Sequence, residues 1–180
     1  VVLQICIETT KLPASQFIVE APDTRRTPNS GTSTASRQTA FTGEATRRAA
    51  EKLKAALEDS KLEDLEGQEF YGEFCYETDP ITSTKPHPIS HLAYSYSAQL
   101  VVLNDSGKVE RVIAVCDAGK VINQLSIEGQ IEGGVVMGLG YALTENFISE
   151  QGYVKSKYGT LGLLRATDIP EIEVELVHAR

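Results

Sequence analysis

The residues predict an α+β fold, with helices and an antiparallel sheet in the same chain. Three stretches carry that expectation. Residues 42–65, "TGEATRRAAEKLKAALEDSKLEDL", set Ala and Leu at helical spacing with acids and bases interleaved. Residues 93–119, "AYSYSAQLVVLNDSGKVERVIAVCDAG", alternate apolar and polar residues around "NDSG", the pattern of a β-hairpin that turns at Gly107. Residues 171–177, "EIEVELV", return to strand alternation.

The remaining elements follow in order. Residues 2–9 are apolar at a spacing that suits the end of a helix, with Pro13 beyond it. "QFIVEAP" (16–22) predicts a short strand that stops before Pro22. "DTRRTPNSGTSTASRQTAF" (23–41) is polar and rich in Ser, Thr and Arg, and predicts a loop leading into the strong helix. Residues 67–92 hold Pro80, Pro86 and Pro88, and predict an irregular segment. "SIEGQIEGGVVMGLGYALTEN" (126–146) reads as a helix, yet it contains Gly129, Gly133, Gly134, Gly138 and Gly140. Each glycine costs a helix interior roughly 1 kcal/mol relative to alanine. Some gain must offset that, and close approach of another backbone or of a flat ligand is the physical candidate.

Bulk properties narrow the function. The chain has 180 residues, 41% of them hydrophobic and 23% charged, which is ordinary for a globular protein of about one domain. A net charge of −8 disfavours nucleic acid and acidic membrane surfaces as partners. No apolar run is long enough to span a bilayer, and nothing resembles a signal peptide. The three cysteines, Cys6, Cys75 and Cys116, are widely spaced and form no C-x-x-C pair. They predict small apolar packing in a reducing, cytoplasmic compartment. There is no internal repeat. "VVLQICIETTKLP" starts abruptly and "IPEIEVELVHAR" stops on a strand, so a piece of a longer protein is expected.

Several side-chain groups could carry chemistry. "GTSTASRQT" (31–39) supplies hydroxyls, backbone N–H groups and Arg37 just before a helix, which suits an anion; a solvated capping loop has the same composition. "GGVVMGLG" lacks the G-x-G-x-x-G spacing and follows no clear strand, and no Gly-Lys-Ser/Thr marks a phosphate loop. His87 and His91 in "PHPISH" lack a third ligand, and two prolines keep them off a helix, so no metal is expected. Asp117 and Glu132 are candidate acid–base groups with no nucleophile beside them.

Four motifs in series, "STASRQT" with "TGEA", "CDAGKVIN", "IEGQIEGGVVMGLGYALTE" and "ATDIPEIEV", resemble the C-terminal molybdenum-cofactor-binding region of molybdenum hydroxylases, the xanthine dehydrogenase and aldehyde oxidase family. The match runs across nearly the whole chain, and "HPISHLAY" is most similar to the selenium-dependent, xanthine dehydrogenase-like branch. The resemblance implies that the chain is a fragment, 1–180, of a molybdopterin-binding domain, divisible into a cofactor loop and helix (1–66) and a hairpin, glycine-rich helix and terminal strand (67–180). It implies a molybdopterin cofactor carrying molybdenum, often with a cytosine dinucleotide in bacterial members. Contacts are expected from Ser33, Thr34, Ala35, Ser36, Arg37, Gln38, Gly43, Asn123, Gln130 and Gly133. Gln124 stands where the family usually has Pro.

Such enzymes hydroxylate a purine, another heteroaromatic ring or an aldehyde with water as the oxygen source. Their base is a glutamate in a "GVGEP"-like motif after the "DIPEIEV" strand; this sequence ends before it, so Glu171, Glu173 and Glu175 are not that base and no catalytic residue is expected here. Expected partners are the rest of the parent polypeptide, its iron–sulfur and FAD-containing flavin domains or subunits, and the small-molecule substrate; a dimer is compatible. The fragment by itself is expected to be inactive. Two other readings remain open on the residues: a binding or assembly module of the same fold without redox activity, and an α+β phosphate-binding domain of another enzyme class.

Overall fold

Residues 2–9 are helical, as their spacing predicts: α1 is Val2–Thr10 in the computed structural model, which describes residues 1–20, 23–27, 29–157 and 159–177. It ends where Lys11 turns left-handed (φ 64°) and its N–H reaches Ile7 O. The strong helix is α2, Gln38–Asp59, followed by a 3-10 turn at Leu62–Leu65 that buries Leu65. The face of α2 that carries Gly43 and Ala50 is buried, and α1 packs on this helix. A Cβ built on Gly43 would stand 2.9 Å from Ile5 Cδ1, so the absent side chain sets the spacing of the helix pair. Full burial of Ile5 contributes on the order of 1.5–3 kcal/mol. On the outer face, Glu44 accepts hydrogen bonds from Arg47 and Arg48, and Arg47 also pairs with Glu51. These contacts, from Arg47 first, hold the Glu44 carboxyl down at about 2.

The expected strand at 16–22 does not form over its described residues. Gln16 closes a 3-10 turn, Phe17 is extended, and no strand pairs with residues 17–20; Ala21 and Pro22 lie outside the described residues. Ile18 is 94% exposed, so the apolar run has no surface to bury against. Residues 67–92 are irregular, as their prolines predict. Within that segment, residues 71–74 run along α2: Lys52 Nζ donates to Tyr71 O at 2.7 Å and Arg48 Nη1 to Glu73 O at 2.9 Å. Between those bonds Gly72 lies so close that a Cβ would fall 2.1 Å from Ala45 O and 2.6 Å from Ala49 N. Phe74 meets Phe41 edge-on, with ring centroids 5.5 Å apart. All of this belongs to one compact unit, Val1–Tyr94; Ser95–Arg180 form a second.

In the second unit the hairpin forms as the alternation predicts. Strand β1 (Tyr96–Leu103) pairs antiparallel with β2 (Val109–Asp117), with Ala98 opposite Val115. The turn is built by Asn104, whose Oδ1 accepts from the N–H groups of Ser106 and Lys108, and by Gly107 at φ 75°. Next come helix α3 (Gln124–Leu143), a two-residue hairpin of β3 (Ser149–Glu150) and β4 (Tyr153–Val154), and strand β5 (Glu171–Leu176). The class is α+β, but the sheet is not purely antiparallel: the order is β1-β2-β5, and β5 runs parallel to β2 with Ala114 opposite Val174. A parallel return needs a long crossover, and residues 118–170 with α3 provide it. Val112 and Ala114 of β2, Ile172 of β5, and Ile131, Val135 and Leu139 of α3 form the core between sheet and helix.

Candidate functional site

The loop before α2 has a geometry that its composition does not foretell. Arg37 N donates to Thr34 O at 3.2 Å across Ala35 and Ser36, both at φ 53°. Two left-handed central residues make this a turn of the type I′ kind, which Asn-Gly adopts easily and Ala-Ser does not. Each costs about 1–2 kcal/mol, and strain of this sort collects at functional sites. Ser33, Thr34, Ala35 and Ser36 are exposed, while Arg37 and Gln38 are half-buried. Arg37 folds back: Nη2 donates to Thr32 O at 2.6 Å and the guanidinium lies 4.8 Å from the centre of the Phe41 ring. Its i, i+4 spacing to Phe41 was the available sequence signal for that stack. Gln38 Oε1 accepts from Thr42 Oγ1. Gly43 is buried against α1 and does not share the loop's open surface.

Helix α3 presents two different faces. Val135, Ile131 and Leu139 pack on the sheet. Gln130 and Gly133 are exposed, with Gly129, Gly134 and Gly138. Within its own unit, a Cβ at any of Gly129, Gly133, Gly134 or Gly138 would meet nothing within 4 Å. Helix–helix packing inside the unit therefore does not explain these four glycines. The close approach of backbones occurs instead at Gly72 and at Gly162, where a Cβ would fall 2.2 Å from Thr144 O. Gly140 differs from the other helical glycines, since it is buried and a Cβ there would stand 2.6 Å from Glu145 Oε1. Asn123 is the N-cap of α3: its Oδ1 accepts from Ser126 N at 2.8 Å, so it fixes where the helix starts. Gln124 spans to Glu128 on the same helix.

The other candidates have structural settings. Asp117 Oδ1 accepts from Gly119 N at the end of β2, and Glu132 is exposed on α3. Glu171, Glu173 and Glu175 alternate on the exposed face of β5, with Glu173 3.6 Å from Arg111. His87 is exposed on an irregular segment, and His91 pairs with Ser90 Oγ at 2.9 Å. Among the described residues, no three His, Cys, Asp or Glu side chains gather as a metal site. Cys116 is buried and bonded to Ser97 Oγ, Cys6 is half-buried, and burial raises the Cys6 thiol above its usual range. Cys75 is exposed instead of packed, and the hydrogen bond to Glu73 raises its thiol too.

The sequence pattern of the molybdopterin cofactor-binding domain family matches residues 1–74 and 60–170. The chain belongs to that family. Its cofactor is molybdopterin. Aldehyde oxidoreductase of Megalodesulfovibrio gigas is 30% identical over 141 residues, covering 70% of this chain and 16% of that protein. The xanthine dehydrogenase molybdenum-binding subunit of Escherichia coli O157:H7 is 29% identical over 125 residues, 64% of this chain and 16% of that one. In three dimensions, aldehyde oxidoreductase from Desulfovibrio gigas superposes with a TM-score of 0.77 at 26% identity, over 98% of this chain and 21% of that chain. The family member described here thus spans 16% of the length of each of these two relatives.

Two features of the structure fit a flat, anionic cofactor of this kind. The Thr34–Arg37 turn combines exposed hydroxyls with a half-buried guanidinium. The outer face of α3 has backbone without Cβ atoms beside the Gln130 amide. No helix among the described residues is long and apolar enough to cross a membrane.

Proposed function

We propose that this chain is the cofactor-cradling part of a molybdenum hydroxylase that oxidises a purine such as xanthine, a related heteroaromatic ring or an aldehyde, with oxygen drawn from water. One observation carries the reading: in a chain of the molybdopterin-binding family, the glycine-lined face of α3 is left open by its own unit. Leu125, Met137 and Tyr141 on α3 are exposed as well. Large exposed apolar side chains grouped on one element mark a surface that meets a partner or ligand, and these relatives extend well beyond the stretch matched here.

The bound cofactor would supply molybdenum as the two-electron acceptor. This chain's residues would hold it. Ser33, Thr34 and Ser36 offer hydroxyl donors; Ala35 and Arg37 complete the turn and Gln38 opens α2 beside it; and Arg37 adds a permanent charge for a phosphate. Gly133 lets a planar ring lie against the helix, and Gln130 presents an amide to it. Asn123 acts through the start of α3, and Gly43 acts through the packing of α1 on α2. The partners on this reading are the rest of the parent polypeptide and iron–sulfur and flavin domains or subunits. One relative is, by its name, a molybdenum-binding subunit. The thiols Cys6, Cys75 and Cys116, none in a disulfide, support a cytoplasmic setting.

The test is Gln130→Ala in the longer parent protein. An unpaired partner of a lost buried amide costs about 1–3 kcal/mol, so molybdenum per polypeptide should fall while circular dichroism stays unchanged. Parental molybdenum content together with parental turnover would refute the contact. A parent purified without molybdenum or pterin would favour the module without redox activity.

A further inference from the structure

The sheet of the second unit has one covered face and one open face. On the covered face, Val112 and Ala114 of β2 and Ile172 of β5 pack under α3. Cys116 Sγ donates to Ser97 Oγ at 3.2 Å, which places Ser97 of β1 on that same side. Side chains alternate along a strand, so the intervening residues point the other way. There Leu100 stands opposite Ile113 and Ala98 opposite Val115, with Tyr96 next along β1. Glu171, Glu173 and Glu175 of β5 flank this apolar group, and the 3.6 Å approach of Arg111 to Glu173 ties the row to the same face. Tyr96 and Leu100 are exposed, and Ile113 and Val115 are only half-buried. A solvated sheet face ordinarily reads polar, and parallel strands such as β2 and β5 are ordinarily covered on both sides.

We infer that this open face receives an amphipathic helix from a part of the parent polypeptide outside these 180 residues. Its apolar stripe lies over Leu100, Ile113 and Val115, and Lys or Arg at i, i+4 and i+8 line the flank that meets Glu171, Glu173 and Glu175. The spacings agree. Alternate residues of a strand lie about 6.6 Å apart, and residues four apart on a helix rise about 6 Å, so three cations meet three carboxylates in step. Among the described residues the row pairs with one cation, Arg111, and so keeps a surplus of negative charge. The helices of this chain do not fit. Helices α1 and α3 contain no Lys or Arg. On α2, Arg47 is bound to Glu44 and Glu51, Arg48 to Glu44 and Glu73 O, and Lys52 to Tyr71 O, which leaves Lys54 and no row. A second copy would bring the same helices and a like-charged row. Apolar burial holds the incoming helix, and the carboxylates set its register and direction. The inference rests on the longer parent proposed above and not on its redox chemistry.

The experiment replaces Leu100 by the photoreactive residue p-benzoylphenylalanine in the parent protein. Irradiation and peptide mapping by mass spectrometry should join position 100 to a peptide of the same polypeptide, outside these 180 residues, that carries Lys or Arg at i, i+4 and i+8. Hydroxyl-radical footprinting adds a readout of the face itself. Tyr96 and Leu100 should oxidise about threefold more slowly, or less, in the parent than in the 180-residue chain, and Glu171→Lys combined with Glu175→Lys should restore about that factor in the parent. Glu171→Gln combined with Glu175→Gln removes charge without reversing it and should give a smaller rise in the same direction. A cross-link to a second copy, to a separate subunit or to a segment without the basic row would overturn the inference. So would the absence of any cross-link, equal oxidation in parent and 180-residue chain, or protection unchanged in both double variants. A parent protein without molybdenum would sink the hydroxylase reading and leave this result standing.

Discussion

Gly72→Ala is the sharpest test of how the first unit is held together. The new Cβ would lie 2.1 Å from Ala45 O and 2.6 Å from Ala49 N. The nearer contact is about 1 Å inside the closest approach that real Cβ atoms make, and its partner is helix backbone, which cannot rotate away. Residues 71–74 must therefore lift from α2. Overpacking of this kind costs about 1–3 kcal/mol. Lifting also strains the bonds from Lys52 to Tyr71 O and from Arg48 to Glu73 O, and an intramolecular hydrogen bond contributes about 0.5–1.5 kcal/mol. Because Lys52 and Arg48 are exposed, water replaces part of that. The net expectation is a loss of about 2–4 kcal/mol. Urea denaturation followed by far-ultraviolet circular dichroism measures it, and amide exchange should accelerate in α2 and at residues 71–74. A loss below about 0.5 kcal/mol, within the range of ordinary surface substitutions, would refute the close approach.

Three further outcomes follow from the same geometry. Gly134→Ala meets open space, so it should stabilise the 180-residue chain by up to about 1 kcal/mol in the same assay; in the cofactor-loaded parent it should lower molybdenum content instead. A destabilised chain would show that the α3 face is already covered. Asn123→Ala removes the α3 cap and should cost about 1 kcal/mol, with Asn123→Asp retaining most of it; an unchanged melting midpoint would exclude the cap. Glu44 is depressed from 4.5 to about 2, so its contribution is complete above pH 4.5 and is lost as pH falls toward 2. Its surface setting limits that contribution to about 0.5–1 kcal/mol, and Glu44→Gln should flatten the stability profile between pH 4.5 and 2.

The elements legible in the residues are those that local periodicity makes. Helices α1 and α2, the β1–β2 hairpin and strand β5 each carry their burial pattern within one short window, so the α+β class and most boundaries were readable. The loop and helix of the candidate site were readable as segments for the same reason, and the four motifs pointed to the family that the comparison supports. What tertiary structure decided depends on partners distant in sequence. "QFIVEAP" has strand-like residues, but a strand exists only where another offers its N–H and C=O groups, and residues 17–20 have none. The parallel direction of β5 follows from the α3 crossover over 118–170, not from "EIEVELV" itself. Ala35 and Ser36 accept left-handed backbone that their side chains oppose, so composition pointed to an ordinary loop. Glycine is the clearest case. In α3 its cost is local and visible, yet the helix leaves space beside it; at Gly72, where nothing in "FYGEF" looks unusual, the backbone of α2 lies too close for a methyl group, because contact between segments 27 residues apart is a property of the folded chain alone.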